Sequence, residues 1–245
     1  MQHEFSKGIN FIYMKILATS DLHGNLDNLD LTGIDMVVIA GDVAPLKGRG
    51  PWHIYNQVKW VNKQLYEFCN RYPSIKFIIT PGNHDFFLLA KEMLGNTILP
   101  KKDLDIRFPS NVHFLVDAEI EVNGMRIYGS PWVPIISHRW AYEAEPKILE
   151  EKFNKIPDGL DILITHSPPK HQLLGVSCFY GKDSNDFGSI ELKQAIEKKK
   201  PKFAFCGHIH TGDHCENRIG DTSIYNVSRL DESYDIHYEP LTLIV

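Results

Sequence analysis

Ile78-Ile79-Thr80-Pro81-Gly82-Asn83-His84-Asp85 is a run of β-forming residues that stops at a Pro-Gly corner and delivers three consecutive polar side chains. A strand that ends this way puts its chemistry beyond the carboxyl edge of a sheet, where side chains from several strands can converge on a ligand. Four other apolar runs end alike. Lys15–Thr19 leads to Asp21-Leu22-His23, Met36–Ala40 to Gly41-Asp42, 161–165 to His166, and 202–205 to Cys206-Gly207-His208-Ile209-His210. Short apolar runs separated by helical stretches are the pattern of buried strands in a layered α/β fold. If neighbouring strands run parallel, the five ends share one edge, with three Asp, five His and one Asn along it.

The intervening sequence predicts a short helix over 26–31 and a longer one from Pro51, whose apolar face reads Val58, Val61, Leu65, Phe68 and Cys69 and which stops before Pro73. A helical segment over 86–94 is closed by Gly95-Asn96 as a C-cap. The runs 112–120 and 125–128 read as paired strands around Asn123-Gly124, a strong hairpin turn signal. A helix over 145–153 precedes the fourth strand, and Ser189 caps a helix to about 199. The stretch 167–188 is rich in Pro, Gly, Ser and Asp and reads as a long functional loop. Runs 223–227 and 241–245 read as further strands. Residues 1–13 are polar and irregular and are expected to be an N-terminal extension, with Met14 as a second start and 14–245 as one domain.

Composition bounds the function. The chain has 245 residues, a formal charge of −5 and four cysteines without framework spacing, the profile of a cytoplasmic protein with reduced thiols. There is no apolar run of membrane-spanning length and no basic-then-apolar secretory leader, so no membrane partner is expected. The negative charge gives no basic footprint for nucleic acid, although bound cations would reverse the field locally.

The ligand chemistry is specific. Carboxylate, imidazole and amide oxygen without thiolate suit divalent Mn, Fe, Co, Ni or Zn. Asp21-x-His23 puts both side chains on one side of an extended backbone, and His208-x-His210 repeats the spacing. So many ligands exceed what one ion takes while keeping open positions, whereas two ions sharing a carboxylate can use them; Asp42 is the candidate bridge.

The set D-x-H, G-D, G-N-H-D, a single His and G-H-x-H, in this order over residues 15 to about 213, resembles the calcineurin-like metallophosphoesterase superfamily. That resemblance implies a four-layer α-β-β-α sandwich of two mixed sheets, with the metal site at the strand C-terminal ends. It implies Asp21, His23 and His210 on one ion, Asn83, His166 and His208 on the other, and Asp42 between them. It also implies that His84 acts at the phosphate, with Asp85 orienting and polarising it. Thr165-His166-Ser167-Pro168-Pro169 and Lys200-Pro201-Lys202-Phe203 are similar to a smaller branch of cyclic-nucleotide-type phosphodiesterases and brain metallophosphoesterase-domain proteins. In protein Ser/Thr phosphatases an acidic residue and an Arg follow the G-D pair; Val43-Ala44-Pro45 stand here, which argues against that activity.

Other candidates read as structural: His53, His113, His138, His171 and His214 as surface or packing residues, Lys47 and Arg49 as solvated loop charges, Trp52, Trp60 and Trp132 as packing, Cys206 as core, and the sequon Asn226-Val227-Ser228 as chance. The expected activity is a phosphodiesterase that hydrolyses a small phosphate ester by attack of a metal-bridging hydroxide. Alternatives are a nuclease or phosphomonoesterase on the same site, or a weakly catalytic protein-binding scaffold.

Overall fold

The computed structural model describes residues 13–45, 48–95, 101–176 and 186–245. The expected extension therefore lies outside the described residues apart from Tyr13. Strands β1 (Lys15–Thr19), β2 (Met36–Ala40), β3 (Lys76–Thr80) and β4 (Val112–Phe114) run parallel, and β13 (Leu241–Ile244) closes the other side of β1 antiparallel. The second sheet has the order β11-β12-β10-β9-β6-β5. Its members are β5 (Ala118–Val122), β6 (Met125–Ser130), β9 (Ile162–Thr165), β10 (Phe203–Cys206), β11 (Asn217–Ile219) and β12 (Thr222–Asn226). Here β6, β9, β10 and β12 are parallel, and the outer strands are antiparallel.

Strand alternation sorts the side chains into layers. Ile16, Val38 and Ile78 of the first sheet meet Ile127, Ile164 and Phe205 of the second in one buried cluster between the sheets. The alternate residues Leu17, Val37, Phe77 and Ile79 face outward and pack under helix α1 (Pro51–Trp60), which continues through a π-turn (Val61–Leu65) into α2 (Tyr66–Asn70). Val58, Val61, Leu65, Phe68 and Cys69 are all buried there, as their spacing predicts. On the far side, Leu163, Ala204 and Cys206 pack against α4 (Pro146–Phe153) and α5 (Ile190–Lys199). Each fully buried Ile or Phe in these layers contributes about 1.5–3 kcal/mol relative to exposure. Helices, sheet, sheet, helices: the four-layer mixed α/β sandwich is realised.

Two local expectations fail for physical reasons. Residues 26–31 form turns, because the guanidinium of buried Arg229 takes the carbonyls of Asn25, Asp27 and Asn28 and Asn28 sits at φ 61°. A helix would need those carbonyls for itself. The run 112–120 is not one strand; Asp117 at φ 50° turns the chain, so β4 joins the first sheet and β5 the second. Asn123 and Gly124 do make the predicted hairpin, at φ 51° and 82°. The segment 86–94 is helical as expected, a 3-10 turn (Phe87–Leu89) followed by α3 (Ala90–Leu94), with Gly95 at the C-cap in right-handed φ −59°. Asn96 lies outside the described residues. Two short strands not foreseen, β7 (Val133–Pro134) and β8 (Glu143–Ala144), pair across the loop that carries Trp140.

Candidate metal centre

Parallel pairing in register puts the ends of β1, β2 and β3 on one edge, and those of β9, β10 and β12 on the matching edge of the other sheet. The sheets are tied there by a parallel bridge between Ser20 and Ser228. Beyond these ends the backbone is not extended. Asp21, His23, Asp42 and His208 take φ values of 54°, 42°, 52° and 71°, a conformation that costs of order 1 kcal/mol or more for a residue with a Cβ. Asp21 and His23 thus converge through a tight loop and not through strand alternation, correcting the geometric reading of D-x-H.

Close approach sets the glycines. A Cβ on Gly41, which sits at φ 102°, would strike His166 Nδ1, and one on Gly82 would strike Asp42 Oδ1. Asp42 is consequently the hub. Its Oδ2 lies 3.7 Å from His23 Nε2, 3.4 Å from His166 Nε2 and 3.9 Å from His84 Nε2, and its Oδ1 accepts the His84 backbone N–H at 2.9 Å. Asp21 Oδ1 lies 3.4 Å from His210 Nε2, and Asp21 Oδ2 accepts from Ser228 Oγ at 2.8 Å and His208 N at 3.0 Å. Asn83 Oδ1 is 2.9 Å from His166 Nε2, and the His166 and His208 rings are 4.9 Å apart. All seven proposed ligands, Asp21, His23, Asp42, Asn83, His166, His208 and His210, are gathered at one locus. Three sets of ligand atoms could each hold an ion: Asp21-His23-His210, His23-Asp42-His84 and Asp21-Asp42-His166.

The chemistry of these side chains fits a divalent metal. Both ring nitrogens of His23 are buried with no hydrogen-bond partner among the described residues, and Asp21 Oδ1 has only the His210 ring at 3.4 Å, an expensive condition that a cation would relieve. His166 Nδ1 pairs with the Ala40 carbonyl at 2.9 Å and His210 Nδ1 with the Asp231 carbonyl at 2.8 Å. A ring nitrogen facing a carbonyl must donate, which leaves each Nε2 as the ligand atom of the neutral ring. For His166 that Nε2 then faces the Asn83 amide oxygen, two acceptors that need a cation or a proton between them.

The electrostatics agree. Burial pushes Asp42 up, but His166, His84 and His23 outweigh it and hold the carboxyl well below its usual range. Asp21 is likewise lowered, its burial outweighed by His210. Burial alone would make His166 and His210 less basic; Asp42 and Asp21 respectively lift them to about 9 instead. Burial dominates at His23, lowered to about 4, and at His208, lowered to about 3 with His166 adding repulsion.

Residues 14–212 match the calcineurin-like phosphoesterase family. This chain belongs to it. Human metallophosphoesterase domain-containing protein 1 is 29% identical over 250 residues, spanning 94% of this chain and 71% of its own. A UPF0046 protein of Caenorhabditis elegans is 36% identical over 254 residues, spanning 94% of this chain and 59% of its own. The crystal structure of TT1561 of Thermus thermophilus superposes with a TM-score of 0.55 at 16% identity, covering 94% of this chain and 97% of that one. As a member of a calcineurin-like family with candidate ligand groups in place, the chain is a metallophosphoesterase-type protein built to bind divalent metal.

Within that family frame, Asp85 departs from expectation. Its oxygens accept backbone N–H groups of Val43 at 3.1 Å, Ala44 at 2.9 Å and Gly82 at 2.9 Å, and it does not bond the His84 ring, whose Nδ1 has no partner among the described residues. Asp85 ties the Asp42 loop to the Asn83 loop. Burial and the Asp42 charge raise its carboxyl to about 7.

Other contributors escaped the sequence reading. Asn226-Val227-Ser228 follows a sixth strand to the same edge: Ser228 Oγ bonds both Asp21 and Asn226, and the burial of Asn226 agrees with the sequon being a chance match. The signal was an apolar run ending in polar residues, as at the other five. Trp140 lies against His84 with ring centres 4.0 Å apart and a 37° tilt, and Arg49, exposed as expected of a loop charge, lies 3.9 Å over Trp140. His214 packs behind the site, its Nε2 2.9 Å from the His210 carbonyl. Lys47 lies outside the described residues. A cleft of about 470 Å³ opens onto Asp42, Asn83, His84 and His208, walled by Ile136, Trp140, Phe187 and Tyr234 and edged by Asp186 and Glu232.

Proposed function

We propose that the chain is a phosphodiesterase with two divalent ions, acting on a small phosphate ester. Asp21, His23 and His210 would hold one ion, Asn83, His166 and His208 the other, with Asp42 shared. When bound, the ions would supply Lewis acidity at phosphoryl oxygens and a water acidified enough to attack phosphorus. The protein's own part is to orient. Asn83 is fixed against His166, and the His84 ring presents Nε2 toward the Asp42 side of the cleft, where it can hydrogen-bond a phosphoryl or leaving oxygen.

The observation that carries this reading is the buried cluster of imidazole rings around two carboxylates, with the His23 ring unpartnered among the described residues. A diester is favoured over a monoester because Asp186 and Glu232 edge the cleft, and their charge opposes a dianion more than a monoanion. The cleft volume suits a small ester better than a polymer. Among the described residues Cys69, Cys206 and Cys215 are free and no helix is long and apolar enough to cross a membrane, in keeping with a cytoplasmic setting.

The test is a rate comparison on bis(4-nitrophenyl) phosphate, 4-nitrophenyl phosphate, cyclic nucleotides and single-stranded DNA with Mn²⁺ added. The diaryl diester should turn over fastest. A faster monoester or DNA substrate overturns the substrate reading, and no metal-dependent turnover on any would favour a scaffold. Asp42→Asn should lose metal and activity together, whereas His84→Ala should keep metal and lose about 10²-fold or more in rate.

A further inference from the structure

The His84 ring lacks the carboxylate that commonly orients a catalytic histidine, yet it is not loose. Its backbone is pinned twice: the N–H by Asp42 Oδ1 at 2.9 Å and the carbonyl by Gln57 Nε2 at 2.7 Å. The ring itself touches two aromatic neighbours, His23 edge-on at 5.2 Å and Trp140 at 4.0 Å with a 37° tilt. The Arg49 guanidinium lies 3.9 Å from the Trp140 ring centre. Arg49 and His84 thus both lie against the indole.

The indole is delivered by a purpose-shaped loop between β7 and β8. Glu143 accepts the backbone N–H groups of Ile136 and Ser137 on one oxygen, at 2.7 Å each, and that of Trp140 on the other at 2.9 Å. Ala141 N–H then bonds the Asn83 carbonyl at 3.0 Å, fastening the loop to the residue preceding His84. This leaves His84 Nδ1 buried with no partner among the described residues and Nε2 on the side of Asp42 Oδ2.

A buried N–H without an acceptor costs more than a buried lone pair on a weakly polar ring nitrogen, because the donor forfeits its whole hydrogen bond with water. The neutral imidazole therefore keeps its proton on Nε2. We propose that Trp140, held by the Glu143 clasp and backed by Arg49, is the positioning residue that fixes the plane of His84 and presents Nε2–H as a hydrogen-bond donor to the reacting phosphate. Trp140 touches no reacting atom in this scheme; it acts through His84. The inference rests on the role given to His84 above.

Two measurements test it. In ¹⁵N-histidine-labelled, zinc-loaded protein, the His84 nitrogen shifts should report the proton on Nε2; a proton on Nδ1 overturns the proposal whatever the variants do. In kinetics, Trp140→Ala should lower kcat on bis(4-nitrophenyl) phosphate by about 10-fold or more while metal content and KM stay close to wild type. Trp140→Phe, which keeps a ring face on His84, should recover most of that loss. In a His84→Ala background, Trp140→Ala should cost nothing further, because the two residues act as one unit. An equal loss in both backgrounds would mean that Trp140 merely supports the fold. A His84→Ala variant as fast as wild type would overturn the role of His84 itself, whereas a slow His84→Ala beside a fully active Trp140→Ala overturns only the positioning role.

Discussion

Three backbone N–H groups, from Val43, Ala44 and Gly82, converge on the two oxygens of Asp85, a residue with no solvent exposure. The carboxylate is buried beside the equally buried Asp42, and both burial and that neighbouring charge disfavour its ionised form. Three donors are what keep it tolerable, since hydrogen bonds to the charged form offset desolvation. In return, the loop carrying Asp42 and the loop carrying Asn83 and His84 are locked together. An amide can keep the two bonds at one position, but its NH₂ then faces a backbone N–H that had an acceptor. Asp85→Asn should accordingly lose about 1–3 kcal/mol of stability, read by chemical denaturation. It should also weaken metal retention measured by elemental analysis, because the displaced loops bear ligands. If Asp85 instead served only to polarise His84, the variant would keep its stability and its metal and lose rate alone.

At the scale of elements, the strands and their endings were readable, while the connections between them were not. Strands β1, β2 and β3 have the bounds that their apolar runs indicate, because each is buried on both faces and the pattern of a doubly covered strand is local. The loop 25–31 shows the opposite case. Its apolar residues Leu26, Leu29 and Leu31 are buried in the space between two strands where a short helix is expected, yet Arg229, some two hundred residues later, takes carbonyls of this segment. The same distance hid Ser228 and Trp140: neither adjoins a ligand in sequence, and only the parallel pairing of β12 and the Glu143 clasp bring them to the site. Asp85 was legible as a site residue but not in its role, because the sequence places it beside His84 while its hydrogen bonds point to Val43 and Ala44. Arg229 is itself 2% exposed, so its loss would leave three carbonyls unserved next to the loop that bears Asp21 and His23. Arg229→Met, which keeps apolar bulk, should destabilise the fold by about 2 kcal/mol and increase amide hydrogen exchange across 25–31. Unchanged exchange there would show that the turns hold without the guanidinium.

The molecule as a whole divides its proposed ligands between two sheets. Asp21, His23, Asp42 and Asn83 follow strands of the first sheet, and His166, His208 and His210 follow strands of the second. Ions bound among them would bridge the sheets at the edge where the Ser20–Ser228 pairing already joins them. Metal should therefore stabilise the fold and not only switch on activity. At a hundredfold excess over Kd one site contributes about 2.7 kcal/mol, or roughly 5–10 °C in Tm for a domain of this size. The shift should depend on pH with a definite sign. In metal-free protein His166 and His210 are lifted to about 9, so the stability they lend is fully present below pH 6.5 and disappears as pH rises through about 9. Metal must displace those protons from both rings, so its affinity rises over the same interval. His23 and His208, lowered to about 4 and 3, are already neutral there and do not alter the trend. The Tm difference between Zn²⁺-loaded and EDTA-treated protein should thus widen from pH 7 to pH 9. Calorimetric titration should show protons released on metal binding at pH 7. Asp42→Asn should abolish the difference, and His84→Ala should preserve it. A Tm gap that is absent, or that narrows toward pH 9, would mean that these histidines do not give up their protons to metal.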